Sequence, residues 1–500
     1  MTPLLAADFS IALPPVWLVG AGALLGLLGI LLLWGLMRVF APRLAAEAAS
    51  SLGDGFAGPL GWLLLALSAC AVAFLPMMPV ALGQIGRSLS RMASTDAFQE
   101  RISVPAGAER QEFEFALRPQ EIDTLRFEST APLLVRTQQP VEGFALAKQS
   151  DIELVAGEAW NWRRGDESNR PNPFVGQKAR VEVTNTGSAP VDLAVRATLV
   201  PEYPQSAILP WTAATVLAIG VLYGLFRLLP RRMAAIASAT TKEAIGQPVF
   251  AVAIVAGITL LLAFIVIPYN TFGEDVKMLK DSGLTLIKVL ALLVVVWTAS
   301  VAVADEIEGR TALTVLSKPL RRWQFVVGKY AGLVLVALLV FLILGSVLMA
   351  TTSLKVVYDA REGGKLDPVW RDCADEMITV VPGLVLSFLE TILLAAVSLA
   401  VSTRLGMVPN LIICFAVYAL GHLVPLIVQS SVGKFAIVRF VGQLFATILP
   451  VLEHFTIEAA VVGGVPVPWS YLAWAALYSA LYSTVALLVA LVLFQDRDLA

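Results

Sequence analysis

DEIEGRTALTVLSKPLRRWQFVVGKY, residues 305–330, separates two long apolar runs at 284–304 and 333–349. A stretch this polar between two such runs lies in water beside a bilayer, because hydrocarbon offers its charges and backbone no partners. Its basic residues, Arg310, Lys318, Arg321, Arg322 and Lys329, place it on the cytoplasmic side by the positive-inside rule. Apolar residues recur within it at Leu313, Leu316, Leu320 and Phe325, so it offers helical surface to another protein. A short helix over 305–317 would end ahead of Pro319, since proline restrains the residue before it.

The rest of the chain agrees with this setting. Of 500 residues, 57% are hydrophobic and 15% charged, with a mean hydropathy of +0.77. That composition belongs to a polytopic membrane protein. A net charge of -2 argues against nucleic acid as a partner. The three cysteines are scattered: Cys70 and Cys414 lie in apolar runs and Cys373 in a polar loop. They build neither a disulfide framework nor a thiolate metal site. With only His422 and His454 present, a histidine-based catalytic or zinc site is not expected, and no Ser-His-Asp set or carboxylate pair emerges.

Nine runs reach the roughly 20 residues needed to cross a hydrocarbon core of about 30 Å. They are expected near 16–37, 61–83, 207–229, 249–268, 284–304, 328–350, 378–403, 407–428 and 470–494. No Lys or Arg precedes Arg38, so the N-terminus lacks the basic region of a cleavable signal peptide. Arg38 and Arg43 follow the first span, which predicts an N-terminus outside and a C-terminus in the cytoplasm. Arg227, Arg231, Arg232, Lys242, Arg404 and Arg497 then all fall inside. Trp17 and Trp34 flank the first span as an interfacial aromatic belt would. Gly22 and Gly26 form a GxxxG pair that lets a neighbouring helix approach closely, though so common a spacing is often incidental.

Residues 86–206 break the pattern. Between 100 and 202 lie 28 of the chain's 74 charged residues. Alternation in Glu112-Phe113-Glu114-Phe115, Ala179-Arg180-Val181-Glu182-Val183 and Leu193-Ala194-Val195-Arg196 has the period of half-buried strands. Asn185-Thr186-Gly187-Ser188 reads as a hairpin turn between two of them. About seven such strands predict an extracytoplasmic β-sandwich of roughly 100 residues. In it, Trp160, Trp162, Arg163 and Arg164 are either a binding cluster or a core tryptophan with solvated arginines. Residues 232–247 are expected as an amphipathic helix along the membrane surface, with Met233, Ile236, Ala237 and Ile245 toward lipid. Pro248 then opens the next span. The apolar run 435–449 is short for a span and is expected to dip into the outer leaflet as a re-entrant or interfacial helix.

The architecture expected is therefore two helices over 1–85, the β-domain over 86–206, a third helix over 207–231, and a six-helix core over 232–500. From about residue 232 onward the chain resembles the permease subunits of ABC-2-type transporters. Thr241-Lys242-Glu243-Ala244 before Pro248-Val249-Phe250 resembles that family's elbow helix. Asp305-Glu306-Ile307-Glu308-Gly309-Arg310-Thr311, Leu316-Ser317-Lys318-Pro319-Leu320, Arg322 and Gly328-Lys329 resemble its first loop between spans. Phe494-Gln495-Asp496-Arg497-Asp498-Leu499 resembles its charged cytoplasmic tail. The three additional spans and the β-domain depart from the family's ordinary six-span pattern.

That resemblance implies a membrane-spanning subunit that pairs with a second permease copy or a related subunit in the cell (inner) membrane, exporting a hydrophobic or amphipathic substrate. Energy would come from a cytoplasmic ABC ATPase carrying ATP and magnesium. No G-x-x-x-x-G-K-[ST] phosphate loop occurs in this chain, so no cofactor is expected on it and it is not itself read as an enzyme. Glu306, Glu308, Gly309, Arg310, Lys318 and Arg322, within the coupling loop 305–329, would dock that ATPase. The plainer reading is a solvated loop that only sets orientation. A different class of function also stays open: a non-transporting scaffold or signalling protein whose β-domain binds a partner.

Glu390 falls near the middle of the span at 378–403. An ionised carboxylate at that depth costs about 2.5–3.5 kcal/mol on insertion scales, so it should face the bundle interior and find a donor. Ser387, Thr391 and His422 are the candidates. A residue of the substrate path and an interhelical bond that holds the bundle together are both compatible with it.

Overall fold

A computed structural model describes residues 9–50, 55–78, 80–92, 97–140, 147–164, 172–174, 178–228, 231–267, 274–305, 321–364, 368–429, 449–456 and 467–495, with isolated positions at 437, 440, 442 and 444. The chain divides into two compact units, Val80–Ala207 and the remainder, Met1–Pro79 with Ile208–Ala500.

The larger unit is helical. Its elements are α1 (Leu13–Phe40), α2 (Pro42–Ser50) and α3 (Ala57–Phe74). The smaller unit contributes α4 (Leu82–Arg91), and the larger then continues with α5 (Ile208–Leu228), α6 (Arg231–Gly246) and α7 (Pro248–Val266). There follow α8 (Asp275–Ala299), α9 (Arg322–Glu362), α10 (Trp370–Ile378), α11 (Val380–Ser402), α12 (Met407–Gln429) and α13 (Trp469–Gln495). Among the described residues, eight helical stretches are long and apolar enough to cross a membrane. In α12, expected as a ninth span, the shorter segment Met407–Leu423 is apolar. The protein is thus consistent with a membrane-embedded, multi-pass helical protein that carries a β-domain.

Helix ends depart from the expected spans for a physical reason. Hydropathy falls away before Leu284, yet α8 begins at Asp275; it also falls after Met349, yet α9 runs on to Glu362. Each extension carries a buried lysine, Lys280 on α8 and Lys355 on α9, and each is paired. Lys355 Nζ lies 3.4 Å from Asp275 Oδ2 and donates to the carbonyls of Ile265 (3.1 Å) and Ile267 (3.3 Å), satisfying the last turn of α7. Lys280 pairs with Glu376 on α10 and donates to Thr379 at 2.7 Å. At this end Ser353 also donates to the carbonyl of Ala12, 2.7 Å away.

Close helix contacts are made where side chains vanish. A Cβ on Gly22 would lie 2.7 Å from the Leu209 carbonyl, and one on Gly26 would lie 2.7 Å from Val216 Cβ. The GxxxG pair therefore seats α5 on α1. Trp17, expected in an interfacial belt, is instead buried within the bundle, where its bulk fills space between helices. Helix α6 also differs from expectation. Its Ala234, Ala237, Thr240, Thr241 and Ala244 are buried, and Ile236 and Thr240 lie over Gly328 and Gly332 of α9. The apolar stripe packs on protein, not lipid, because the two glycines open a groove for it. Pro248 does open α7.

The core continues through Leu284, Ile287 and Ala291 of α8 against Val340, Leu344 and Leu348 of α9. Toward the other end, Val295, Phe325, Leu399 and Phe494 bring α8, α9, α11 and α13 together, with the Phe325 and Phe494 rings stacked at 5.6 Å.

Among the described residues, the smaller unit is a sandwich of eight antiparallel strands: β1 (Ala97–Val104), β2 (Gln111–Phe115), β3 (Ile122–Ser129), β4 (Leu133–Pro140), β5 (Ala147–Leu154), β6 (Ala159–Arg163), β7 (Ala179–Thr184) and β8 (Val191–Leu199). One sheet is ordered β1-β8-β3-β6, the other β2-β7-β4-β5. The alternating residues Phe115, Val181, Val183, Leu193 and Val195 point into one core with Leu125, Phe127 and Trp162. Trp160 stacks on Phe127 at 5.5 Å, so the tryptophans of the aromatic-basic cluster serve packing. The expected hairpin at Asn185 is corrected: β7 and β8 belong to different sheets, and the turn crosses between them. Asn185 holds that crossing. Its Nδ2 donates to the carbonyls of Pro105 and Ala189, each at 3.0 Å, while its Oδ1 accepts from the Gly187 amide at 2.9 Å.

Candidate functional site

Two places in the helical unit carry the residues singled out from the sequence. The first is the end of the bundle where α8 stops and α9 starts. Helix α8 loosens there into a π-helical turn, Ser300–Asp305, a form that often marks functional positions in helices. Asn410 of α12 braces this turn. Its Nδ2 donates to Ser300 Oγ (2.8 Å) and to Ser398 Oγ of α11 (2.9 Å), and its Oδ1 accepts from Cys414 Sγ (3.3 Å). One buried amide thus joins three helices.

Arg322 is the first residue of α9, and its Nη1 donates to the carbonyl of Gln495, the last residue of α13, at 2.8 Å. The Arg321 amide donates to the Gln324 side chain at 3.2 Å, satisfying one of the open amides at the start of α9. Glu306, Glu308, Gly309, Arg310 and Lys318 lie outside the described residues, as do the helix expected over 305–317 and most of the run 435–449.

The second place is the middle of the bundle. Glu390, on α11, is fully buried, with 0% of its surface exposed. Its Oε2 lies 3.5 Å from Nζ of Lys288, on α8, which is 3% exposed. Its Oε1 lies 3.4 Å from Nε2 of His422, on α12. The carboxylate therefore spans three helices, facing a cation with one oxygen and an imidazole with the other.

Lys288 Nζ also sits 5.9 Å from the centre of the Tyr418 ring, which in turn packs on His422 at 4.7 Å between ring centres. His422 Nδ1 is 3.0 Å from the backbone carbonyl of Tyr418. Burial of the two opposite charges is tolerable because each offsets the other's loss of water.

Of the partners expected for Glu390, only His422 reaches it. Thr391 Oγ1 instead donates to the Ser387 carbonyl at 2.8 Å, the back-bond within a helix turn that a buried threonine readily makes. Lys288 does not stand out in the sequence because hydropathy begins the span at Leu284, which leaves a lysine near a membrane surface where its long chain can snorkel. With α8 starting at Asp275, the same residue falls mid-helix. The available signal was Glu390 itself: a mid-span acid calls for a mid-span base on another run. Comparison with known protein families and with characterised proteins finds no match for this chain.

Proposed function

We propose that this protein is the membrane-spanning permease subunit of an ATP-driven transporter of the ABC-2 type. It would export a hydrophobic or amphipathic substrate with energy from a separate cytoplasmic ATPase. The observation that carries this reading is the docking of α6 along the first turns of α9. Ile236 and Thr240 of α6 lie over Gly328 and Gly332 of α9, and Thr241 Oγ1 donates to the Gly332 carbonyl at 3.3 Å. An amphipathic helix clasped to the base of the helix that follows the charged segment is what an elbow beside a coupling loop requires. The order of motifs from residue 232 to the end adds to it, as does the tie between Arg322 and the end of α13.

In this reading segment 305–329 faces the cytoplasm and receives the ATPase through Glu306, Glu308, Gly309, Arg310, Lys318 and Arg322. Closure of paired ATPases on ATP and magnesium pushes the π-helical end of α8 and the start of α9. Asn410 passes that displacement to α11 and α12. Two permease subunits enclose the substrate path, and the β-sandwich lies outside the cell membrane, where it receives substrate or recruits a partner.

Affinity purification of the full chain from mild detergent tests this. An ATPase should co-purify stoichiometrically, and reversal of charge at Glu308 and Arg322 (Glu308→Lys with Arg322→Glu) should release it while leaving the protein folded. Recovery of outer-surface proteins alone would instead favour the scaffold reading, for which the separate β-sandwich unit is the supporting feature.

A further inference from the structure

We infer that the smaller unit carries a binding site for a phosphate group accompanied by a hydrogen-bond donor, in a cavity of about 440 Å³ lined by α4 and by segments that join the strands. The inference is independent of the transporter reading. Gln84 and Arg87 of α4 form one wall. Arg118 and Gln120, between β2 and β3, form a second. Lys178, just ahead of β7, and Glu202, after β8, add to the lining.

Backbone pairing brings these separate stretches together. The Ala179 amide donates to the Leu117 carbonyl at 3.0 Å, which carries the β2–β7 pairing onward and sets Lys178 against residues 116–118. The Val200 amide donates to the Glu121 carbonyl at 2.7 Å, holding the chain just before Glu202 against the turn Pro119–Glu121. Arg91 docks α4 on the same turn by pairing with the Glu121 carboxylate. Ile85 and Ser88 are the buried residues of α4. Gln84 and Arg87, neighbours three residues apart on the helix surface, are left for the cavity.

The lining has a surplus of positive charge. Glu121 serves two bases, Arg91 and Arg118, the second at 3.6 Å. Glu114 serves Lys178 and Arg180, the latter at 3.3 Å. Arg87 Nε donates to the Gly83 carbonyl at 3.2 Å, and Arg87 makes no ion pair among the described residues. An arginine has five N–H donors and a lysine three, so Arg87, Arg118 and Lys178 hold donors beyond these bonds. A single guanidinium fork satisfies a carboxylate. Cations on three elements instead suit a phosphate, whose oxygens point apart.

Glu202 narrows the ligand further. It makes no ion pair among the described residues, and an ionised carboxylate only accepts hydrogen bonds. It would repel a second anionic group and calls for an amine or hydroxyl on the ligand. The cavity's volume is that of a small-molecule site. Phosphate beside an amine is the chemistry of a soluble phosphoamine and of an aminophospholipid headgroup alike. The second source is open because α4 begins shortly after the apolar helix that ends at Met77.

Calorimetric titration of the full chain in phosphate-free detergent buffer tests the site. The probes are O-phosphoethanolamine and ethyl phosphate, which lacks the amine. Saturable binding of phosphoethanolamine is expected, weakened about tenfold or more in Arg87→Gln by loss of a charge-assisted donor. Glu202→Gln should erase the preference over ethyl phosphate. Tryptophan fluorescence verifies that both variants keep the sandwich folded. A second arm covers the lipid source: by native mass spectrometry, the chain released from phosphatidylethanolamine nanodiscs should retain one lipid more than Arg87→Gln does. Arg87-dependent binding in either arm supports the site and identifies its source. Absence of binding in both arms, equal affinity for the two phosphates, or binding that Arg87→Gln leaves unchanged would overturn it.

Discussion

Lys288 Nζ lies 3.5 Å from Glu390 Oε2, bringing a base of α8 and an acid of α11 together where neither meets bulk water. Each residue alone would be a liability in hydrocarbon. Together they bolt two helices in one register.

Removing one partner should therefore cost more than removing both. Lys288→Met strands a buried carboxylate and is expected to destabilise the protein by about 3–5 kcal/mol, whereas Lys288→Met with Glu390→Leu should recover most of that loss. Unfolding midpoints of the parent, Lys288→Met, Glu390→Leu and the double variant in one detergent close a double-mutant cycle that checks it. A double-variant loss equal to the sum of the two single losses would deny the pair any coupling.

A second expectation concerns α6. A Cβ at Gly332 would lie 2.7 Å from Thr240 Cβ and 2.9 Å from the Ala237 carbonyl. Gly332→Leu should lift α6 from α9 at a cost of about 1–3 kcal/mol, seen as faster proteolysis within residues 231–247. Gly224→Ala is the control. A Cβ there meets nothing within 4 Å, so that change should be neutral or stabilising by about 0.4–1 kcal/mol.

Asn410→Leu keeps bulk but removes the amide that joins Ser300, Ser398 and Cys414. Ser300 and Ser398 lose the donor that their hydroxyl oxygens accept from, which should cost about 1–3 kcal/mol. If the proposed function holds, substrate-stimulated ATP hydrolysis by the assembled complex should fall further than stability does. A variant as stable and as well coupled as the parent would remove Asn410 from the path.

The β-sandwich should respond to acid in a defined direction. The hydrogen bond from Arg136 is the main cause that holds the Asp151 carboxyl below its ordinary range, with Arg136 Nε 2.6 Å from Asp151 Oδ1. Lys178 does the same for Glu114, with help from Arg180. A carboxyl that ionises more readily when folded contributes stability above its unfolded value of about 3.9–4.3. That contribution is lost as pH falls through the lower folded value. Asp151→Asn should flatten this acid limb, followed by tryptophan fluorescence of the intact chain, while an unchanged limb would contradict the assignment.

Much of this structure was legible where the local pattern coincides with the packing partner. Strict alternation in Ala179–Thr184 and Val191–Leu199 marks strands whose inward residues meet one core. The Asn185 turn was equally visible, but not the sheet to which each flanking strand belongs. That is decided by partners far along the chain, β4 for β7 and β1 with β3 for β8.

Hydropathy located the spans yet misjudged where α8 begins and α9 ends, because Lys280 and Lys355 are buried by partners on other elements. The same blindness hid Lys288. Glu390 and His422 could be paired from sequence because each is a conspicuous polar residue in an apolar run.

At 41 residues, α9 is about 60 Å long, twice the thickness of a hydrocarbon core. A rod of that length converts angle into travel. Tilting it by about 5° sweeps the far tip through roughly 5 Å. Lys355, close to that tip, grips the terminal carbonyls of α7 and the carboxylate of Asp275. A tug at Arg322 would thus be felt by two other helices on the distant face, with leverage supplied by geometry alone.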